Sequence, residues 1–231
     1  MDCSNAGRVS SSSGLYTEEM IREVFPVGML QCNCSVFGDE TTLEAVVIDP
    51  GDGADDLAQL QAILNRHHLK VTSIVITHAH IDHIGGAAQL KKLTGAPVYM
   101  NAGDEELYAH LDWQAQWLGM MTPETAEIDA GAKDGDTLRV GGTELSLIET
   151  PGHTRGSICV YAKAEGVLAA GDTLFKDSIG RTDLPGGDGR KILESIHTRL
   201  LILPEETEVI CGHGPATTIG RERERNPFLQ G

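Results

Sequence analysis

The stretch Thr77-His78-Ala79-His80-Ile81-Asp82-His83 follows directly on an apolar run at residues 71–76. A short run rich in valine and isoleucine reads as a buried strand, so the polar segment after it is a loop whose start is fixed by the core. Imidazole and carboxylate are standard ligands for zinc and similar divalent cations. His78, His80, Asp82 and His83 therefore bring four potential ligands within six residues, enough to serve two adjacent ions with little chain ordering. The bland alternative is a histidine-rich surface loop.

Three distant residues weigh against that alternative. His153 stands in Pro151-Gly152-His153-Thr154 after the strand-like residues 144–149, and Asp172 in Gly171-Asp172-Thr173 after residues 167–170. His213 stands in Gly212-His213-Gly214 after residues 209–211. Each follows an apolar run and adjoins glycine, the setting in which loops of an α/β scaffold present functional groups. The expected metal ligands are thus His78, His80, Asp82, His83, His153, Asp172 and His213. Structural zinc sites are usually closed, four-coordinate and often cysteine-rich; a set of His and Asp suits open, water-carrying sites instead. His67 and His68 end a helical pattern, where a cation complements the dipole. His110 and His197 lie in helical patterns without candidate partners.

Around these residues strand-like and helix-like stretches alternate, the pattern of an α/β architecture. Strands are expected within residues 20–37 and at 44–48, 71–76, 97–100, 138–140, 144–149, 157–161, 167–170 and 208–211. Helices are expected at 55–68, 84–93, 104–110 and 190–200, with residues 112–136 irregular and holding both tryptophans. Residues 1–19, with serines at positions 10–13 and no apolar core of a secretory signal, read as a flexible leader; residues 20–231 read as one domain. The five cysteines (Cys3, Cys32, Cys34, Cys159, Cys211) are odd in number and lie mostly in apolar runs, which fits free thiols in a reducing cytoplasm. No apolar run approaches the ~18 residues of a membrane span. With 34 acidic against 18 basic residues, a formal charge of −16 repels nucleic acid phosphates and leaves a small molecule as the expected partner. Nothing in the pattern speaks to oligomeric state.

The loop motif with its three distant partners resembles the metallo-β-lactamase superfamily, over about residues 20–228. The resemblance implies an αβ/βα four-layer sandwich, two mixed β-sheets with helices on the outside. It implies a first metal ion on His78, His80 and His153, a second on Asp82, His83 and His213, and Asp172 bridging both. Two divalent ions are implied, zinc foremost, with iron or manganese also compatible with such donors. Best-known dinuclear β-lactamases carry cysteine where this chain has Asp172, which points away from antibiotic hydrolysis. The segments Gly171-Asp172-Thr173-Leu174-Phe175 and Gly180-Arg181-Thr182-Asp183-Leu184-Pro185-Gly186-Gly187-Asp188 are similar to glyoxalase II relatives, as is Asn226-Pro227-Phe228 to their short form, which lacks a C-terminal helical domain. The activity implied is hydrolysis of S-lactoylglutathione or a related glutathione thioester, a water activated between the ions attacking the carbonyl, with Asp82 and Asp172 orienting it as ligands. Arg181 matches a basic residue that helps to bind glutathione in the long form; its other reading is a surface arginine paired with Asp183. Persulfide dioxygenases share the fold and a Gly-Arg-Thr-Asp segment, and would hold one iron on His78, His153 and Asp172. Lactonase or other ester hydrolysis also fits the ligand set.

Overall fold

The computed structural model describes residues 20–51 and 54–230. The expected leader at residues 1–19, and Cys3 within it, lie outside the described residues.

Two six-stranded sheets face each other. The first takes its strands in chain order: β1 (Ile21–Val27), β2 (Cys32–Gly38), β3 (Glu44–Ile48), β4 (Lys70–Val75), β5 (Val98–Met100) and β6 (Ala130–Gly131). Its first three strands run antiparallel and the rest parallel to β3. The second sheet is built from β7 (Thr137–Val140), β8 (Thr143–Glu149), β9 (Ile158–Ala162) and β10 (Val167–Ala169). It is completed, beyond the small hairpin of β11 (Leu174–Phe175) and β12 (Ser178–Ile179), by β13 (Glu208–Ile210) and β14 (Thr217–Thr218). Their order is β14-β13-β10-β9-β8-β7, with only β10 and β13 parallel. Both sheets are therefore mixed.

Helices α1 (Ala54–Arg66), α2 (Ile81–Ile84), α3 (Ala87–Thr94), α4 (Glu105–Ala109) and α5 (Leu111–Leu118) flank the first sheet. Helices α6 (Gly189–Ser195) and α7 (Ile219–Arg225) flank the second. The layering follows from side-chain alternation. In β3, Val46 and Ile48 enter the core between the sheets with Val75, Leu147, Val160 and Ile210. Ala45 and Val47 point the other way, into the layer with Leu60, Leu64 and Leu90 of α1 and α3. On the far side, Cys159, Tyr161 and Val209 meet Ile192, Ile196 and Ile219. Strands covered on both faces carry near-continuous apolar runs, which is why residues 44–48 show no polar alternation. The four-layer αβ/βα arrangement expected from the motif is the one present.

Three local readings change. Residues 20–37 form a hairpin, turned at Gly28–Gln31 where both ends take positive φ and Gln31 N–H bonds the Gly28 carbonyl. Both tryptophans stand on α5, inside the stretch expected to be irregular. Only Leu111 and Ala115 of α5 are buried, so its apolar stripe is too short to announce a helix. The helix expected at 84–93 is α2 followed by α3, separated at Gly85 and Gly86. The four described cysteines are buried and form no disulfide with one another, in keeping with thiols that serve as small core residues. Among the described residues no helix is long and apolar enough to cross a membrane.

Candidate metal centre

Loops leaving the ends of β4, β8, β10 and β13 meet at one rim of the sandwich and bring all seven expected ligands together. The two sheets are stitched there by two backbone bonds, Ile158 N–H to the Thr77 carbonyl and Asn33 N–H to the Gly212 carbonyl, while Gly212 N–H to the Gly171 carbonyl joins the loops after β13 and β10 within the second sheet. After Thr77 the chain turns into α2, whose first turn closes on the His80 carbonyl and sets Asp82 and His83 side by side.

The donors form two sets. Nε2 of His78 and Nε2 of His153 each lie 3.0 Å from Nδ1 of His80. In the second set, Asp82 Oδ2 lies 3.2 Å from His213 Nε2 and 3.7 Å from His83 Nε2, while the two imidazole nitrogens are 3.3 Å apart. Asp172 stands between the sets. Its Oδ2 is 3.6 Å from His153 Nε2, and its Oδ1 is 3.5 Å from His83 Nε2 and 3.7 Å from His213 Nε2.

Hydrogen bonds on the far sides of the rings decide which nitrogen faces the centre. Thr77 spends its hydroxyl proton on Asp49 Oδ2 at 2.6 Å, so at 3.0 Å its oxygen accepts from His78 Nδ1–H. His153 Nδ1–H donates to the Arg181 carbonyl at 2.8 Å, and His213 Nδ1–H to the Leu30 carbonyl at 2.9 Å. His83 Nδ1–H donates to Asp49 Oδ2 at 2.8 Å. Each of these four rings thus turns its Nε2 inward, the arrangement by which outer partners orient metal-binding histidines.

Electrostatics separate the two sets. Burial, with the neighbouring histidines, holds His78 well below the usual imidazole value. Burial and His153 push His80 down to about 3. His153 is also lowered, by burial. In the second set, burial alone would depress His83, but Cys32 and the carboxylates of Asp82, Asp49 and Asp172 outweigh it and hold the ring well above its ordinary value. Burial pushes the Cys32 thiol itself up to about 12, so at neutral pH it is uncharged and the carboxylates carry the effect. Burial opposes His213 likewise, and Asp82 and Asp172 lift it. Asp82, in spite of its burial, is held well below the carboxylate range by His83 and His213.

Cations fit this donor set. In the first set two bare Nε2 atoms, of buried His78 and His153, each lie 3.0 Å from Nδ1 of half-buried His80, a convergence of lone pairs that suits a shared cation. Asp172 Oδ1 is buried and has no hydrogen-bond partner, a costly state for a carboxylate oxygen unless it has a cation to face. Close approach to Asp172 also dictates glycine next door. A Cβ on Gly212 would fall against Asp172 Oδ1, well inside van der Waals contact, and one on Gly171, whose φ is +48°, would strike the Thr77 side chain.

Three residues outside the expected set take part. Asp49 accepts from Thr77 N–H, the Thr77 hydroxyl and His83. It ends an apolar strand beside Gly51, the same signal that marked Asp172, but within Asp49-Pro50-Gly51 it reads as a turn residue. Asp104, also buried, accepts from Ala79 N–H, Thr154 Oγ1 and Gly156 N–H, tying the His78–His80 loop to that of His153. Gln114 of α5 accepts from Ile81 N–H and donates to the Ala79 and Leu107 carbonyls. Asp104 stands four residues after β5 and beside Gly103, the setting that marked His153, but it reads as the first residue of the helix expected at 104–110; Gln114 follows no strand and carried no signal. The centre opens into a cleft of about 1060 Å³. Arg181 lines it, and its guanidinium makes two 2.8 Å bonds to the Asp183 carboxylate.

Residues 27–213 match the metallo-beta-lactamase superfamily. The chain is 38% identical over 214 residues to the hydroxyacylglutathione hydrolase GloC of Haemophilus influenzae, covering 90% of this chain and 97% of that one. Two crystal structures share the fold at comparable identity. The BLEG-1 B3 metallo-beta-lactamase superposes with a TM-score of 0.83 at 40% identity, over 91% of this chain and all of that one. TTHA1623 in a di-iron-bound form superposes with a TM-score of 0.80 at 37% identity, over 90% and 100% of the two chains. The chain belongs to the metallo-beta-lactamase superfamily.

Proposed function

We propose that this chain is a metal-dependent hydrolase acting on a thioester, most closely a glutathione thioester of the S-lactoylglutathione kind. The reading is carried by Asp172, a single carboxylate with one oxygen toward each of two His-rich donor sets. The named relative from Haemophilus supports the thioester, and the di-iron state of TTHA1623 supports two ions and allows iron beside zinc.

His78, His80 and His153 would hold one ion, Asp82, His83 and His213 the other, and Asp172 both. When bound, such a pair supplies a water of lowered pKa and an electrophile for the developing oxyanion. The chain's own part is positioning. The low-lying carboxyl of Asp82 stays ionised and, with Asp172, orients the attacking water. Water adds to the carbonyl, the C–S bond breaks, and the products are a carboxylic acid and a thiol. Arg181, on the cleft wall, is the proposed contact for a carboxylate of the glutathione part of the substrate, which would replace Asp183 in an exposed and therefore weak ion pair.

Metal counting combined with three assays tests this reading: thiol release from S-lactoylglutathione, opening of a penicillin, and oxygen uptake with glutathione persulfide. Two ions per chain and thiol release are expected. Oxygen uptake by a one-iron protein, or β-lactam turnover exceeding thioester turnover, would overturn it.

A further inference from the structure

The cleft above the metal donors has an apolar wall for which a lactoyl group has no use. Trp113 and Trp117 lie four residues apart on α5, hence on one face of the helix. Each is 67% exposed, and both line the cleft together with Leu107 and Leu118. Leu30 and Leu184 line it as well. Apolar side chains gathered around a concave site, rather than scattered singly, mark a ligand surface.

Hydrogen bonds fix this wall relative to the donors on two sides. Gln114, between the tryptophans on α5, is bonded to the backbone of Ala79 and Ile81, the neighbours of His80. Leu30 offers its carbonyl to His213 Nδ1. A substrate whose reacting carbon sits at the donors therefore carries its adjoining group against a surface held in register with them.

Charge narrows the chemistry of that group. The arginines on the cleft wall are engaged: Arg181 with Asp183, and Arg155 with Glu106 at 2.8 Å. Asp82 and Asp172 belong to the metal donor sets, Asp104 accepts from Ala79, Thr154 and Gly156, and Glu106 is the partner of Arg155, so none of these carboxylates is offered to an acyl group. An anionic or strongly polar acyl group gains nothing there, whereas an alkyl or aromatic one is removed from water.

We propose that the tryptophan wall is an acyl-binding subsite, selecting thioesters whose acyl group is an uncharged apolar chain of about four to eight carbons. This rests on the thioester-hydrolase reading above and departs from it in the acyl group, placing an apolar acyl chain where that reading has lactoyl. Its test uses the carboxylate products, which are independent of the thiol. Acetate, butanoate, hexanoate and octanoate are titrated into the zinc-loaded protein by calorimetry. Burial of one methylene corresponds to about a fourfold gain in affinity, and to about twofold on a half-open wall. Octanoate should thus bind more than about tenfold tighter than butanoate.

Trp113→Ala and Trp117→Ala should each flatten this dependence. Because both side chains are largely exposed, their loss leaves the core intact. Ile202→Ala, at an exposed apolar residue that does not line the cleft, should leave the dependence as it was. Equal affinity across the series, or a chain-length dependence unmoved by both tryptophan variants, overturns the subsite. Parallel assays with S-lactoylglutathione and S-hexanoylglutathione keep the two readings apart. Chain-length-dependent carboxylate binding without turnover of either thioester sinks the thioester reading alone. Turnover with no preference for the hexanoyl substrate sinks the subsite alone.

Discussion

At Asp49 three donors converge on one buried carboxylate: the Thr77 amide at 2.8 Å, the Thr77 hydroxyl at 2.6 Å and His83 Nδ1 at 2.8 Å. Its φ of +52° is one that aspartate tolerates and most residues do not. Asp49→Ala would leave all three donors buried without an acceptor, at about 1–3 kcal/mol for each group left unpaired. It would also free His83 to turn or change tautomer, and loss of such an outer partner typically lowers metal affinity about 10–100-fold. A lower unfolding midpoint and weaker binding of the second ion are expected, read by thermal denaturation and by competition with a chromophoric chelator. Wild-type affinity for both ions would dismiss Asp49 as a positioning residue. Residues of this kind are hard to read from sequence. His78, His80, Asp82 and His83 stand out because four donors crowd one loop, and His153, Asp172 and His213 because each follows a strand. Asp49 sits where an aspartate is equally expected in a plain turn, and only the folded chain shows what it faces.

Helix α5 shows the corresponding limit at the level of elements. Strands such as β3 and β4 are legible because they are buried on both faces and carry unbroken apolar runs. α5 buries only Leu111 and Ala115 and turns its tryptophans to solvent, so no periodic stripe reveals it. What docks it is a side chain, Gln114, through three hydrogen bonds to the loop of His80 and to α4. Gln114→Ala removes all three while leaving the apolar contacts in place. A loss of about 1–3 kcal/mol is expected, at roughly 1 kcal/mol per net hydrogen bond, and it should be concentrated locally. Amide exchange in α5 and at Ile81 should speed up while the protection of β9 and β10 stays as it was. Uniform acceleration across both sheets would mean that Gln114 supports the whole fold instead of the seating of one helix.

The whole molecule carries a formal charge of −16, and its two donor sets differ in their states of protonation. Burial holds His78, His80 and His153 below the ordinary imidazole value, so near neutral pH the rings are uncharged and metal uptake there releases no net proton. His83 and His213 are raised by the carboxylates around them, so in the metal-free protein they hold protons into the neutral range. The same carboxylates that favour a proton there favour a divalent cation, and the two compete. Below a raised pKa, every proton displaced lowers the apparent metal affinity about tenfold per pH unit; above it, the penalty vanishes. Uptake at the second set should therefore weaken steeply as pH falls from 8 toward 6, whereas uptake at the first set should scarcely change. Zinc titrations across that range, with ions counted per chain, should show two ions at the alkaline end giving way to one. Asp82→Asn should then abolish the second, pH-sensitive ion and spare the first, since Asp82 is the carboxylate that belongs to the second set alone. Simultaneous loss of both ions at every pH, or loss from Asp82→Asn of the pH-insensitive ion, would show that the seven donors act as one indivisible site.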